Sequence, residues 1–227
     1  MKTLPVSFTK TQRNLGWFWW AFQLLFLPLL LAGINLHLSV PMSEARLNFA
    51  FFCLNFAGIT SILWKYLYNS CAHGLRHFFR TLQSGFFGLV LYFLASAVLN
   101  FVVTRFFPDF TNLNDNSLSF LIQEEPALLR IAIIFLVPVA EELLYRGVVF
   151  GSIHSKNRFL AYAISAGLFS LIHFVGFLPD PTTFLISFVL YLPAGLCLAW
   201  AYERSGSILA PILMHITINQ MGLQILR

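Results

Sequence analysis

The sequence predicts an all-α fold: a polytopic membrane helix bundle of about seven transmembrane helices, N-terminus inside and C-terminus outside. Three observations predict it. Of 227 residues, 58% are hydrophobic and only 10% charged, whereas a soluble domain carries about 25% charge. The mean hydropathy is +0.76. The 26 phenylalanines exceed what a water-soluble core of this size needs. No long polar stretch separates the apolar runs, so 1–227 reads as a single integral membrane domain.

A membrane span needs about 20 apolar residues. Seven runs qualify: Leu15–Leu36, Leu47–Leu67, Gln83–Phe106, Ala127–Phe150, Phe159–Leu178, Thr182–Tyr202 and Ser207–Leu226. Pro138 and Pro193 fall inside the fourth and sixth, where a missing N–H predicts kinks. Two connections are longer than turns. Tyr68–Arg80 contains His73, Arg76, His77 and Arg80 and is expected at the cytoplasmic headgroups. Phe107–Pro126 is rich in Asn and Asp and reads as a solvated external loop, with an amphipathic piece near Leu118–Ile122. There is no internal repeat, so an inverted-repeat transporter gains no support.

Positive charge sets the orientation. Lys2, Lys10, Arg13, Lys65, Arg76, Arg80, Arg146, Lys156, Arg158 and Arg204 fall on the N-terminal side. Only Arg46, Arg105, Arg130 and Arg227 fall on the other, together with Glu44, Asp109, Asp115, Glu124, Glu125 and Asp180. The net charge of +5 is therefore a topology signal. It implies membrane lipid as a partner and no nucleic acid, since the cations do not cluster. Cys53, Cys71 and Cys197 lack metal-type spacing and read as small hydrophobes. The apolar run from Trp17 is too long for a cleavable signal peptide.

Against this apolar background, a few polar groups stand out. Glu141 and Glu142 lie in the middle of LLRIAIIFLVPVAEELLYRGVVFG. A carboxylate at the bilayer centre costs about 2.5–3.5 kcal/mol on insertion scales, so intramembrane carboxylates mark ion paths, proton relays or catalytic sites. Glu142 and Arg146 are four apart and can pair on one helix face. Glu141 points about 100° away, with Tyr145 one turn beyond it. One carboxylate is thus held by an arginine, while the other is free to act as a general base. His173 sits in AISAGLFSLIHFVGF, one turn after Phe169. His215 and Asn219 are four apart in SILAPILMHITINQMG, and both can donate hydrogen bonds to an oxyanion. Three helices bring these groups to similar depth. A structural reading is also open: an ion pair with Glu141 as its satellite, a hydrogen-bonded core histidine, and a His–Asn clamp between helices.

The chemistry narrows by exclusion. Ser170 lacks a nucleophile elbow, and no HExxH motif occurs. Glu141, His173 and His215 could ligate zinc. A carboxylate and a histidine can also activate water without metal. In that scheme Glu141 takes the proton, His173 positions or deprotonates the water, and His215 and Asn219 stabilise the oxyanion during peptide-bond hydrolysis.

These residues resemble the CPBP intramembrane proteases, also called the Abi or CAAX-protease type. The family pattern is EExxxR, then FxxxH, then HxxxN. Here it reads Glu141-Glu142-Leu143-Leu144-Tyr145-Arg146, Phe169-Ser170-Leu171-Ile172-His173 and His215-Ile216-Thr217-Ile218-Asn219. The match covers Pro138 to Asn219. It divides the chain into variable N-terminal helices, 1–126, which carry no motif, and a catalytic core, 127–227. The resemblance implies a glutamate-type endopeptidase with Glu141 and His173 as the catalytic pair and His215 and Asn219 as the oxyanion site. Glu142, Arg146, Tyr145 and Phe169 support them. It implies no cofactor, with zinc as the alternative, and a membrane-associated peptide or protein as substrate. A bacterial cell membrane and a bacteriocin-related or other peptide substrate fit so small a chain. Two other functions remain open: a non-enzymatic immunity or scaffold protein, and a proton-coupled carrier using Glu141 and His173.

Overall fold

The computed structural model describes residues 4–177 and 179–225. Lys2 and Arg227 of the charge pattern, and the predicted span ends Leu178 and Leu226, lie outside them. The regular elements among the described residues are all helices, without strands. Three helices are long and apolar enough to cross a membrane, or four spans if a bent pair is counted as one.

The bent pair is α1 (Lys10–Leu25) and α2 (Leu27–Leu36). A Thr9–Gln12 capping box starts α1, satisfying backbone N–H groups that have no partner within the helix. The sequence predicts one span here, but the chain bends by 46° at Phe26. Pro28, in the first turn of α2, explains the break: its ring crowds the preceding turn and it has no N–H to give.

The long helix α3 (Glu44–Arg76) and then α4 (Phe78–Phe106) follow, with only His77 between them. The expected headgroup connection Tyr68–Arg80 is therefore almost entirely helical. It contains no proline, and Thr81 Oγ1 donates to the Gly74 carbonyl at 2.9 Å across the joint. One face of α4 is bare, with Phe86, Phe87, Leu94 and Phe101 all exposed. Side chains solvated by lipid account for the excess of phenylalanine.

Helix α5 (Leu113–Glu124) occupies the predicted external loop. It is less solvated than the sequence suggests, because Leu121 and Ile122 are buried with Ala45, Leu129 and Ile133. Its last turn is anchored to the start of α3, where Ala45 N–H donates to Glu124 Oε2 at 3.1 Å and Arg46 pairs with Glu125 at 2.6 Å.

The predicted fourth span is broken into short α-helical pieces, α6 (Pro126–Ile131), α7 (Val137–Glu141) and α8 (Gly151–His154). They are joined by π-helical turns at Ala132–Leu136 and Glu142–Phe150. The kink expected at Pro138 takes this form. In the π register Val137 N–H donates to Ala132 O, so the next donor, to the Ile133 carbonyl, would come from Pro138, which has none. Every residue from Glu142 to Phe150 is buried, so this segment is the axis of the bundle. Its core partners include Ile59, Leu63 and Tyr66 of α3.

The chain closes with α9 (Arg158–Ile172), α10 (Pro181–Ser205) and α11 (Leu209–Ile225). Asp180 caps α10 through the Thr182 and Thr183 N–H groups, and Thr183 holds its carboxyl below the usual carboxylate range. Despite Pro193, α10 runs unbroken to Gly206. Gly206 ends it in the left-handed region, φ 73°, where a Cβ would be strained. Near this end Glu203 accepts from Arg158, Tyr162 and His154 at 2.7–2.8 Å, tying α8, α9 and α10 together. Gly195 lets α10 touch α9, since a Cβ there would lie 2.8 Å from Ala166 Cα. Gly195→Ala should therefore lower stability by about 1–3 kcal/mol, as overpacking does, measured by thermal unfolding in detergent. A Cβ at Gly167 would meet only Phe188 Cζ, in ordinary contact at 3.8 Å, so Gly167→Ala should change little.

Candidate active site

The π turn that begins at Glu142 places the two carboxylates on different neighbours. Glu142 points inward and is fully buried. Arg146, one turn on and also fully buried, donates Nη1–H to Glu142 Oε1 at 3.0 Å. Its Nη2 donates to the Gly195 carbonyl at 3.0 Å. The guanidinium lies 4.4 Å above the Phe169 ring, a cation–π contact in a dry setting. The predicted Glu142–Arg146 pair is thus present, and α10 completes it.

Glu142 has a second partner. His215 Nδ1 lies 2.8 Å from Glu142 Oε1. Arg146 keeps Glu142 an acceptor, so Nδ1 carries the proton. His215 Nε2 then faces Glu141 Oε2 at 3.8 Å. Oε2 of Glu141 is buried, without a hydrogen-bond partner among the described residues, as are Glu142 Oε2 and Arg146 Nε. An unpaired carboxylate oxygen is costly in an apolar bundle. Glu141 is set to take a proton, or a donor, from whatever occupies the adjoining space.

That space is a cavity of about 510 Å³ lined by Glu141, Tyr145, His173, His215 and Asn219. The predicted residues on three sequence segments therefore share one cavity. His173 caps the C-terminus of α9, and its Nδ1 donates to the Phe169 carbonyl at 2.8 Å. Nε2 is left as the acceptor. Phe169 is the hub of the packing, with ring centroids 4.8 Å from His173, 5.6 Å from Tyr145 and 5.7 Å from His215. Tyr145 is buried, and its carbonyl accepts from Ser165 at 2.9 Å.

Asn219 does something the sequence does not suggest. Its Nδ2 donates to the Ile133 carbonyl at 2.8 Å, the carbonyl that Pro138 leaves without a backbone donor. A carboxamide nitrogen carries two protons, so one remains for the cavity. Among the described residues no three of His, Cys, Asp and Glu are grouped as metal ligands. The zinc set Glu141, His173 and His215 is therefore not assembled in this geometry.

The cavity's other wall is unexpected. Gln23 of α1, Asn48 and Asn55 of α3, Asn100 of α4, and Asn112 and Asn114 at the start of α5 all line it. They lie in the half of the chain without motifs. Asn55 Oδ1 accepts from Trp19 at 3.0 Å, and Gln23 Nε2 donates to the Trp20 carbonyl at 3.4 Å. A signal was available: Asn48 and Asn55 are two helical turns apart within an apolar stretch, on one face. Uncharged amides draw less attention than carboxylates.

The fold and site define a helical membrane protein with a carboxylate–arginine–histidine cluster at the edge of an internal cavity. Residues 123–221, under half of the chain, match the type II CAAX prenyl endopeptidase Rce1-like family, so that region is similar to CAAX-type membrane proteases. The UPF0177 protein YxdF of Lactococcus lactis subsp. lactis (strain IL1403) is 28% identical over 165 residues, 71% of this chain and 85% of that protein. YdiL of Bacillus subtilis (strain 168), provisionally named a membrane peptidase, is 31% identical over 83 residues, 36% of this chain and 30% of its own length. No solved structure matches.

Proposed function

We propose that this chain is a glutamate-type intramembrane endopeptidase of a bacterial cell membrane, with its N-terminus inside and about seven spans, cleaving a membrane-associated peptide. The observation that carries the reading is Glu141. Its Oε2 is buried without a hydrogen-bond partner among the described residues, at the edge of a cavity shared with two histidines whose remaining nitrogens are oriented by hydrogen bonds.

In this reading His173 Nε2 accepts a hydrogen bond from water and holds it beside Glu141. Glu141 takes the water's proton as the oxygen bonds to the scissile carbonyl carbon. The resulting oxyanion receives N–H donors from His215 Nε2, when that nitrogen is protonated, and from the second Nδ2 proton of Asn219. Glu141 then passes the proton to the departing amide nitrogen, and the C–N bond breaks. The carboxamides of the opposite wall suit an extended peptide, because each can offer a donor and an acceptor, as a peptide unit does.

The test compares membrane and secreted peptides from cells carrying wild type or Glu141→Gln at matched protein levels. Fragments found only with wild type support proteolysis and name the substrate. Identical peptidomes would move the assignment to a binding or scaffold protein of the same fold. Metal removal separates two versions of the protease. Cleavage by purified protein should be unaffected by prolonged treatment with a strong chelator. Loss of cleavage restored by zinc would overturn the metal-free mechanism.

A further inference from the structure

Tyr191 lies on α10, outside the three motifs, and its ring is stacked on the imidazole of His173 at 4.3 Å and 21°. Its hydroxyl donates to Asn112 Oδ1 at 3.2 Å, with Asp115 Oδ1 at 3.5 Å. Asn112 is the N-cap of α5, and its Oδ1 also accepts from the Asn114 and Asp115 N–H groups. Tyr191 therefore joins the histidine on one side to the beginning of α5 on the other. The far end of α5 is fastened to α3 through Glu124 and Glu125. Between these anchors Ser117, Leu118 and Leu121 of α5 line the cavity.

The imidazole needs such a neighbour. Its one hydrogen bond among the described residues, from Nδ1 to the Phe169 carbonyl, fixes which nitrogen carries the proton but leaves the ring plane free to tilt about that bond. The tilted Phe169 ring, at 57°, covers it imperfectly. The parallel face of Tyr191 restricts the tilt and keeps Nε2 on the cavity side. We infer that Tyr191 is a positioning residue. It holds the His173 ring for water binding and, through its hydroxyl, couples that placement to the seating of α5 over the cavity. The inference rests on the protease reading for its kinetic consequence, but not for its structural one.

Two variants separate the parts. Tyr191→Phe keeps the stacked ring and loses the tether to Asn112. Tyr191→Leu loses both. With the peptide named by the peptidome comparison as substrate, Tyr191→Phe should raise KM about 3- to 10-fold, the value of one neutral hydrogen bond, with kcat within about two-fold. Asn112→Ala should reproduce that shift from the other side. Tyr191→Leu should add a fall in kcat of about 10²-fold, the scale of a misplaced catalytic group. An independent readout is the ¹⁵N signal of His173 in detergent-solubilised protein, assigned by difference from His173→Gln. Nδ1 should stay protonated in all three proteins, while the Nε2 signal should be single and sharp in wild type and Tyr191→Phe, where the ring has one orientation, and broadened in Tyr191→Leu, where it tilts. Thermal unfolding checks that each variant folds. If Tyr191→Leu does not, the matched KM shifts of Tyr191→Phe and Asn112→Ala decide the tether and their absence overturns it. An Nε2 signal as sharp as wild type and an unchanged kcat in folded Tyr191→Leu would overturn the positioning role while leaving the protease intact. A changed signal in a protein that cleaves nothing would do the reverse.

Discussion

Glu141→Gln should lower the cleavage rate by about 10²–10⁴-fold, the usual contribution of a general base, while leaving the protein as abundant and as stable as wild type. The two halves of the expectation come from one fact. Glu141 Oε2 is without a hydrogen-bond partner among the described residues, and His215 Nε2 is 3.8 Å away, beyond hydrogen-bond distance. A carboxamide therefore breaks no bond that holds the helices together, and it removes a carboxylate from an apolar bundle, where charge costs free energy. It also cannot take a proton. The measurement is single-turnover cleavage by purified wild type and variant in detergent or vesicles, with thermal unfolding of the same samples. A Glu141→Gln protein that unfolds or disappears from the membrane would show the carboxylate to be structural. A variant that cleaves at the wild-type rate would remove Glu141 from the mechanism.

The second large effect belongs to Arg146 and runs the opposite way. Arg146→Met should destabilise the protein by about 3–5 kcal/mol, the cost of leaving one member of a buried pair alone. Both side chains of the pair are fully buried. Removing the guanidinium leaves Glu142 with His215 alone, strips the Gly195 carbonyl of its donor, and uncovers the face of Phe169. Lysine should not rescue it, because a point charge cannot bond to Glu142 and Gly195 together while lying flat on a ring. The double variant Glu142→Gln/Arg146→Met should be more stable than Arg146→Met, since the stranded charge is gone. Thermal unfolding across the three proteins measures this directly. Equal stability of Arg146→Met and wild type would show that the pair serves only the charge balance of the site.

Much of the candidate site was legible because its residues are ones that membranes penalise. Glu141, Glu142, Arg146, His173 and His215 stand out in apolar helices, and helical spacing alone pairs Glu142 with Arg146 and places Phe169 beside His173. What was not legible depends on partners distant in the chain. His215 reads as a free donor beside Asn219, yet its Nδ1 is bound to Glu142, 73 residues away. Asn219 reads as half of an oxyanion site, yet one proton goes to a carbonyl that Pro138 left open. The helix boundaries failed for related reasons. Pro138 produced π turns rather than a simple kink, because neighbouring helices supply the hydrogen bonds that a proline removes. The headgroup segment Tyr68–Arg80 stayed helical because nothing in it stops a helix.

The sequence by itself determined the all-helical membrane class, the polar residues of the three motifs and the ion pair within one helix turn. These depend on composition and on spacing along a single helix, which backbone geometry converts directly into neighbours. Only the tertiary structure decided which atoms of those residues remain available, and it brought Tyr191, Gly195 and the carboxamides of the N-terminal helices to the same cavity. Hydrogen bonds between helices set both. They are made by uncharged groups whose meaning depends on what packs against them, and a linear pattern does not carry that information.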